Sequence, residues 1–126
     1  MTTHPRLIFD VPEAEWLTAN GRYHWREKAR RTKALRHRAS IAARGVVAPD
    51  PCLVVVHVGY ATGVKADPSN AFPTAKALID GCVDAGMWPD DDSTHILGPT
   101  FLRGPKHGRS GFHVVELALI DQEVPF

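Results

Sequence analysis

Two hydrophobic periods alternate along this chain. Leu7-Ile8-Phe9 is a short apolar run before Asp10 and Pro12, which predicts an edge strand. Ala19-Asn20-Gly21-Arg22 predicts a turn, because Asn-Gly readily takes positive φ. From Trp25 the small or apolar positions Ala29, Thr32, Leu35, Ala39 and Ala42 recur at steps of three or four, which predicts a helix ending near Arg44-Gly45. Its alanine-rich stripe is narrow enough to lie close to a sheet while charged residues cover the rest of its surface. The β-branched run from Cys52 to Tyr60, bounded by Pro51 and Gly59, predicts a central strand. A second helix is expected from Pro73 or Thr74 to Ala85, stopped by Gly86, with Ala75, Leu78, Ile79, Cys82 and Val83 as its buried stripe. Lys76, Asp80 and Asp84 follow one another at i+4 beside that stripe. His95 to Arg103 predicts a strand interrupted by Gly98-Pro99, residues 104–111 a flexible basic loop, and Phe112 to Ile120 a closing strand. The order is strand, helix, strand, helix, strand, strand. It predicts one α/β (α+β) domain over residues 1–126, a small mixed β-sheet with helices packed on it.

Composition narrows the class. At 44% hydrophobic and 23% charged residues the chain is neither disordered nor a coiled coil. No apolar run approaches the ~18 residues of a membrane span, and MTTHPRLIFD lacks the order of a signal peptide, so a cytoplasmic protein without membrane partners is expected. Cys52 and Cys82 form no CxxC and sit among apolar neighbours, as buried thiols do.

Charge is unevenly distributed. Arg22, Arg26, Lys28, Arg30, Arg31, Lys33, Arg36, Arg38 and Arg44 face one anion, Glu27, whereas from Gly45 onward five cations stand against ten carboxylates. Like charges so concentrated repel one another unless a polyanion relieves them, which points to nucleic acid.

Among the carboxylates, Asp67 precedes the second helix, Asp80 lies on it one turn past Lys76, and Asp90, Asp91 and Asp92 follow its end. If these converge they require a counter-charge, since neighbouring carboxylates raise one another's pKa. Hard oxygen donors suit magnesium better than zinc. Each residue also has a simpler role: Asp67-Pro68-Ser69-Asn70 and Pro89 to Asp92 are ordinary turn or cap sequences, and Lys76 with Asp80 is an ordinary helix pair.

The stretch from Asp67 to Asp91, DPSNAFPTAKALIDGCVDAGMWPDD, resembles the RusA family of Holliday junction endonucleases. The family pattern is an Asp-x-Asp-Asn loop, a helix bearing Lys and Asp, an Ala-Gly turn and an Asp-Asp pair; Asn20-Gly21-Arg22 resembles its N-terminal turn. The resemblance implies a RusA-like fold and a homodimer that resolves four-way DNA junctions by paired nicks, using magnesium with manganese as a possible substitute. It implies Asp67, Lys76 and Asp91 as catalytic residues and Asp67, Asp80, Asp90 and Asp91 as metal ligands. Asn20, Arg22, Arg26, Lys28, Arg30, Arg31, Lys33, Lys106 and Arg109 are the expected DNA contacts. Ser69 departs from the pattern, standing where its second acid is expected; either Asp80 or Asp90 replaces that acid, which is the preferred expectation, or Ser69 holds a metal-bound water and fewer carboxylates suffice. Trp25 and Val46-Val47 are candidate pairing surfaces. Two rivals remain: a branched-DNA-binding protein that has lost its metal chemistry with that acid, and a phosphatase for small substrates, which leaves the nine cations unexplained.

Overall fold

Four strands and two helices follow in the predicted order, and the structure, a computed structural model, describes residues 4–122. Residues 1–3, part of the signal-peptide reading, and the acidic Glu123 lie outside that range. The sheet runs β1-β4-β2-β3. Strand β1 (Arg6–Pro12) is an edge, as its short run predicts, and β2 (Cys52–Gly59) is interior. Strand β4 (Phe112–Asp121) pairs antiparallel with both, while β3 (Ile96–Arg103) is parallel to β2. A parallel pair needs a long crossover, and helix α2 (Phe72–Asp84) lies within it. The result is a small mixed α/β protein with a four-stranded sheet and two helices.

Alternation along the strands decides which face is covered. Phe9 opposes Val115, Val56 opposes Leu117 and Val54 opposes Leu119, all buried on one face. Leu35 and Ala39 of helix α1 (Trp25–Ala42) join the same core as Leu78 and Cys82 of α2. On the other face Ile8 and Leu102 are exposed, and Arg6 reaches Glu116 at 3.0 Å. Each fully buried Val or Leu contributes about 1.5–3 kcal/mol, so the covered face supplies most of the stabilisation.

Three expectations need correction. The buried stripe of α1 is shorter than predicted: Leu35, Ala39 and the following Ala43 are buried, whereas Ala29 and Ala42 are exposed and Trp25 is 69% exposed. The cause is the helix crossing. Gly81 of α2 meets α1 so closely that a Cβ there would lie 2.3 Å from the Arg36 carbonyl oxygen and 2.7 Å from the Ala39 Cβ. Toward the start of α1 the helices diverge from that contact and Ala29 and Trp25 lose their cover, whereas at the other end the i+4 step from Ala39 keeps Ala43 buried and turns Ala42 outward. Gly98-Pro99 does not break β3, because the extra length is absorbed as a register shift opposite Leu53 and Val55. Gly98 adopts φ 95° there, and any Cβ would sit 2.9 Å from the Val54 carbonyl oxygen. Lastly, the 104–111 loop is fastened to the end of β2: Gly104, His107 and Gly108 donate backbone hydrogen bonds to Val58, Tyr60 and Ala61.

Cys52 and Cys82 are free and buried, and burial pushes both thiols up to about 12. Among the described residues, no helix is long and apolar enough to cross a membrane.

Candidate functional site

The outer side of α2 presents Lys76 and Asp80 one turn apart, and the Lys76 ammonium donates to Asp80 Oδ1 at 2.8 Å. The same ammonium donates to Asp91 Oδ2, joining two carboxylates eleven positions apart in sequence. Local structure explains how Asp91 returns. Gly86, at φ 85°, donates to the Val83 carbonyl at 2.9 Å, and Met87 donates to Cys82 at 3.1 Å, the paired bonds of a Schellman stop. Trp88 then anchors the chain, being buried with its indole N–H donating to the Pro49 carbonyl at 2.9 Å. Asp90 Oδ1 accepts from the Asp91 amide at 2.8 Å. Asp92 Oδ1 accepts from the Thr94 amide at 2.9 Å and from its hydroxyl, so this acid caps the turn.

The electrostatics follow from these contacts. Burial lowers the Lys76 pKa, but Asp80 and Asp91 outweigh it, and the net shift is upward. The Lys76 hydrogen bond holds Asp91 below the usual carboxylate range. Both groups are therefore charged at neutral pH.

Asp67 is placed differently. It caps the 3-10 turn Pro68–Ala71, and its Oδ1 accepts from the Ser69 hydroxyl at 2.7 Å and the Ser69 amide at 3.0 Å. That hydroxyl, then the amide, lowers the Asp67 pKa. The residue in place of the expected second acid thus satisfies Asp67. Among the described residues, no group of three or more His, Cys, Asp or Glu is gathered to hold a metal ion. The structure brings Asp80, Asp91 and Lys76 together, adds Asp90 through the Asp91 amide, and leaves Asp67 on its own turn.

The cationic segment divides into two groups. Arg30 and Arg31 both bond Glu27, which they pull to about pKa 2, and they also donate to the carbonyls of Ala14, Glu13 and Trp16. Arg38 pairs with Glu15, and Arg36 bonds Asp84 of α2 through Nε at 2.9 Å and Nη2 at 2.7 Å. These four fasten α1 to its neighbours. Arg22, Lys28 and Lys33 are exposed and form no side-chain ion pair among the described residues, and Arg26 lies over the Trp25 ring, 5.1 Å from its centroid. Of the expected DNA contacts, Arg30 and Arg31 are committed to this framework, while Arg22, Arg26, Lys28 and Lys33 face solvent.

Sequence-distant pieces meet beside α2. Buried Thr74 donates to the Leu17 carbonyl at 2.8 Å and accepts from the Leu17 amide at 2.9 Å, and the Ala19 amide donates to the Asn70 carbonyl at 2.8 Å. These bonds hold the turn with Asn20 and Arg22 against the Asp67 turn. Lys106 is exposed on the fastened 104–111 loop, and Arg109 lies over the Phe112 ring at 4.6 Å. Lys28 and Thr32 of α1 face Phe72, Lys76 and Asp80 across a groove of ≈310 Å³. Neither that groove nor the Thr74 anchor is foreseen by the hydrophobic pattern, although a Thr at a buried helical position was the available signal.

No protein-family model matches the chain, and no curated protein matches its sequence. The donor chemistry nevertheless fits magnesium in part: Asp80 and Asp91 offer hard oxygens and already converge on one positive charge, the Lys76 ammonium.

Proposed function

We propose that the protein is a magnesium-dependent, structure-specific DNA endonuclease of RusA-like fold that resolves four-way junctions as a homodimer. The observation that carries this reading is the Lys76 ammonium held between Asp80 and Asp91, one groove away from solvent-facing Lys28 of the cationic helix. In this reading Asp80 and Asp91 would hold the cation with Asp90 beside them, and Asp67, which the resemblance assigns to the same set, would have to leave its Ser69 partner to join it. Magnesium, when bound, supplies positive charge that polarises a phosphodiester and acidifies water. Lys76 remains protonated because its carboxylates keep its pKa raised, so it serves as a charge donor to the phosphate and not as a base. Asp91, held ionised, serves as an acceptor or ligand and not as a proton donor. Arg22, Arg26, Lys28 and Lys33 bind backbone phosphates, which gives strong salt dependence and little base preference. A two-fold dimer matches the two strands that must be cut symmetrically.

The test is incubation with a synthetic four-way junction and magnesium. Paired nicks that vanish in Asp91→Asn, while junction binding persists, are the expected result. A second reading, a branched-DNA-binding protein without nuclease activity, is favoured by the capture of Asp67 by Ser69. Binding without cleavage by the unaltered protein, across magnesium and manganese, would replace the first reading with the second.

A further inference from the structure

Trp25 is the outlier of this surface. A large aromatic ring 69% exposed at the start of a cationic helix forgoes the stabilisation of burial, and among the described residues no apolar element covers it. It lines a groove of ≈750 Å³ along α1 with Lys28, Thr32, Lys33 and Arg36, closed on one side by Asp84 of α2. Asp84, the one acid lining it among the described residues, is paired with Arg36 at 2.7 Å. Lys28 and Thr32 also line the smaller groove that contains Lys76 and Asp80, so the two grooves share a wall. A ligand lying along α1 from Trp25 therefore leads toward Lys76.

We propose that this groove binds an unpaired segment of DNA, with a base stacked on Trp25, phosphates on Lys28 and Lys33, and the strand directed past Lys28 toward Lys76. Stacking on an exposed aromatic ring requires a base released from its partner, which is what the centre of a branched junction offers and a continuous duplex does not. The positive charge around Trp25 selects this occupant over a second copy of the chain: a two-fold pairing through Trp25 would bring Arg26, Lys28 and Lys33 toward the same cations of the partner. The Arg26 guanidinium lies over the indole, 5.1 Å from its centroid, and the His24 ring is stacked 5.7 Å from it, so a base on Trp25 takes the place of one of these exposed groups. The inference rests on the DNA-binding part of the proposed function.

The test uses intrinsic fluorescence. Of the three tryptophans, Trp16 and Trp88 are buried, so quenching by added DNA reports on Trp25. Titration with a single-stranded oligodeoxyadenylate should quench the emission and saturate. The same backbone carrying abasic sites should bind more weakly and leave emission unchanged. Trp25→Ala should weaken oligodeoxyadenylate binding roughly tenfold, and Trp25→Phe should restore most of it. Equal binding by Trp25→Ala and the unaltered protein, or binding without quenching, would overturn the inference. If junction binding survives either result, the nuclease reading stands; loss of both single-strand and junction binding removes both. Quenching that depends on protein concentration without DNA would assign the ring to a second copy and also overturn the inference.

Discussion

Gly81→Ala sets two physical effects against each other at the α1–α2 crossing. Helix propensity alone favours the change, because Ala replaces Gly in a helix interior with a gain of about 1 kcal/mol. Packing opposes it. The added methyl would lie 2.3 Å from the Arg36 carbonyl oxygen and 2.7 Å from the Ala39 Cβ, the former a backbone atom that cannot rotate away. Relief requires the two helices to part by roughly 1 Å, and such overpacking costs typically 1–3 kcal/mol. With backbone on the receiving side the upper value applies, leaving a net loss of about 2 kcal/mol. For a domain of this length that lowers the melting temperature by roughly 8 °C. Urea unfolding followed by the buried Trp88 and Trp16 measures it. Widening the crossing also separates Lys28 and Thr32 from Lys76 and Asp80, so Lys28 and Lys76 would engage one DNA ligand less well together. An unchanged or raised urea midpoint would refute the close crossing and return Gly81 to an ordinary helix position.

Thr74→Val keeps the shape but strands the buried Leu17 amide and carbonyl, and should cost about 2–4 kcal/mol in urea unfolding, whereas Thr74→Ser should retain both bonds and lose far less. Equal losses in the two variants would remove the hydrogen bonds as the cause. Stability should also respond to pH through two histidines of opposite sign. Asp50 raises the His95 pKa, a contribution complete below 6.5 and lost as pH rises through the raised value; burial lowers that of His113, a contribution present above 6.5 and lost as pH falls through the depressed value. Asp50→Asn removes the first alone, so its urea midpoint should climb more steeply than the parent's between about pH 5.5 and about pH 8. A slope unchanged from the parent's would mean that the His95–Asp50 contact at 2.8 Å contributes nothing in solution.

The elements were legible because their signals are local. β-Branched residues bounded by Pro51 and Gly59 make β2 recognisable without knowing its partners, and Gly86 stops α2 through its own bond to Val83 and that of Met87 to Cys82, both within the last turn. The i+4 spacing of Lys76 and Asp80 is likewise enough to pair them. The role of Asp92 as a cap is written in Asp-x-Thr, since the bond to Thr94 spans two residues.

What the sequence by itself determined, then, is the order of elements, the i+4 pair and the concentration of cations in one segment. Only the tertiary structure decided which of those charges are free. Arg30, Arg31, Arg36 and Arg38 look no different in sequence from Lys28 and Lys33, yet their partners, Glu13, Ala14, Glu15, Trp16 and Asp84, arrive from other elements, in addition to the local Glu27. Trp25 lies in the period that predicts burial, and it is the approach of Gly81 to Arg36 that determines where the helices touch and where they diverge. Asp91 reaches Lys76, and Asp67 turns to Ser69, for the same reason: a side chain's partner is chosen by the path of the backbone between them, which no periodicity encodes.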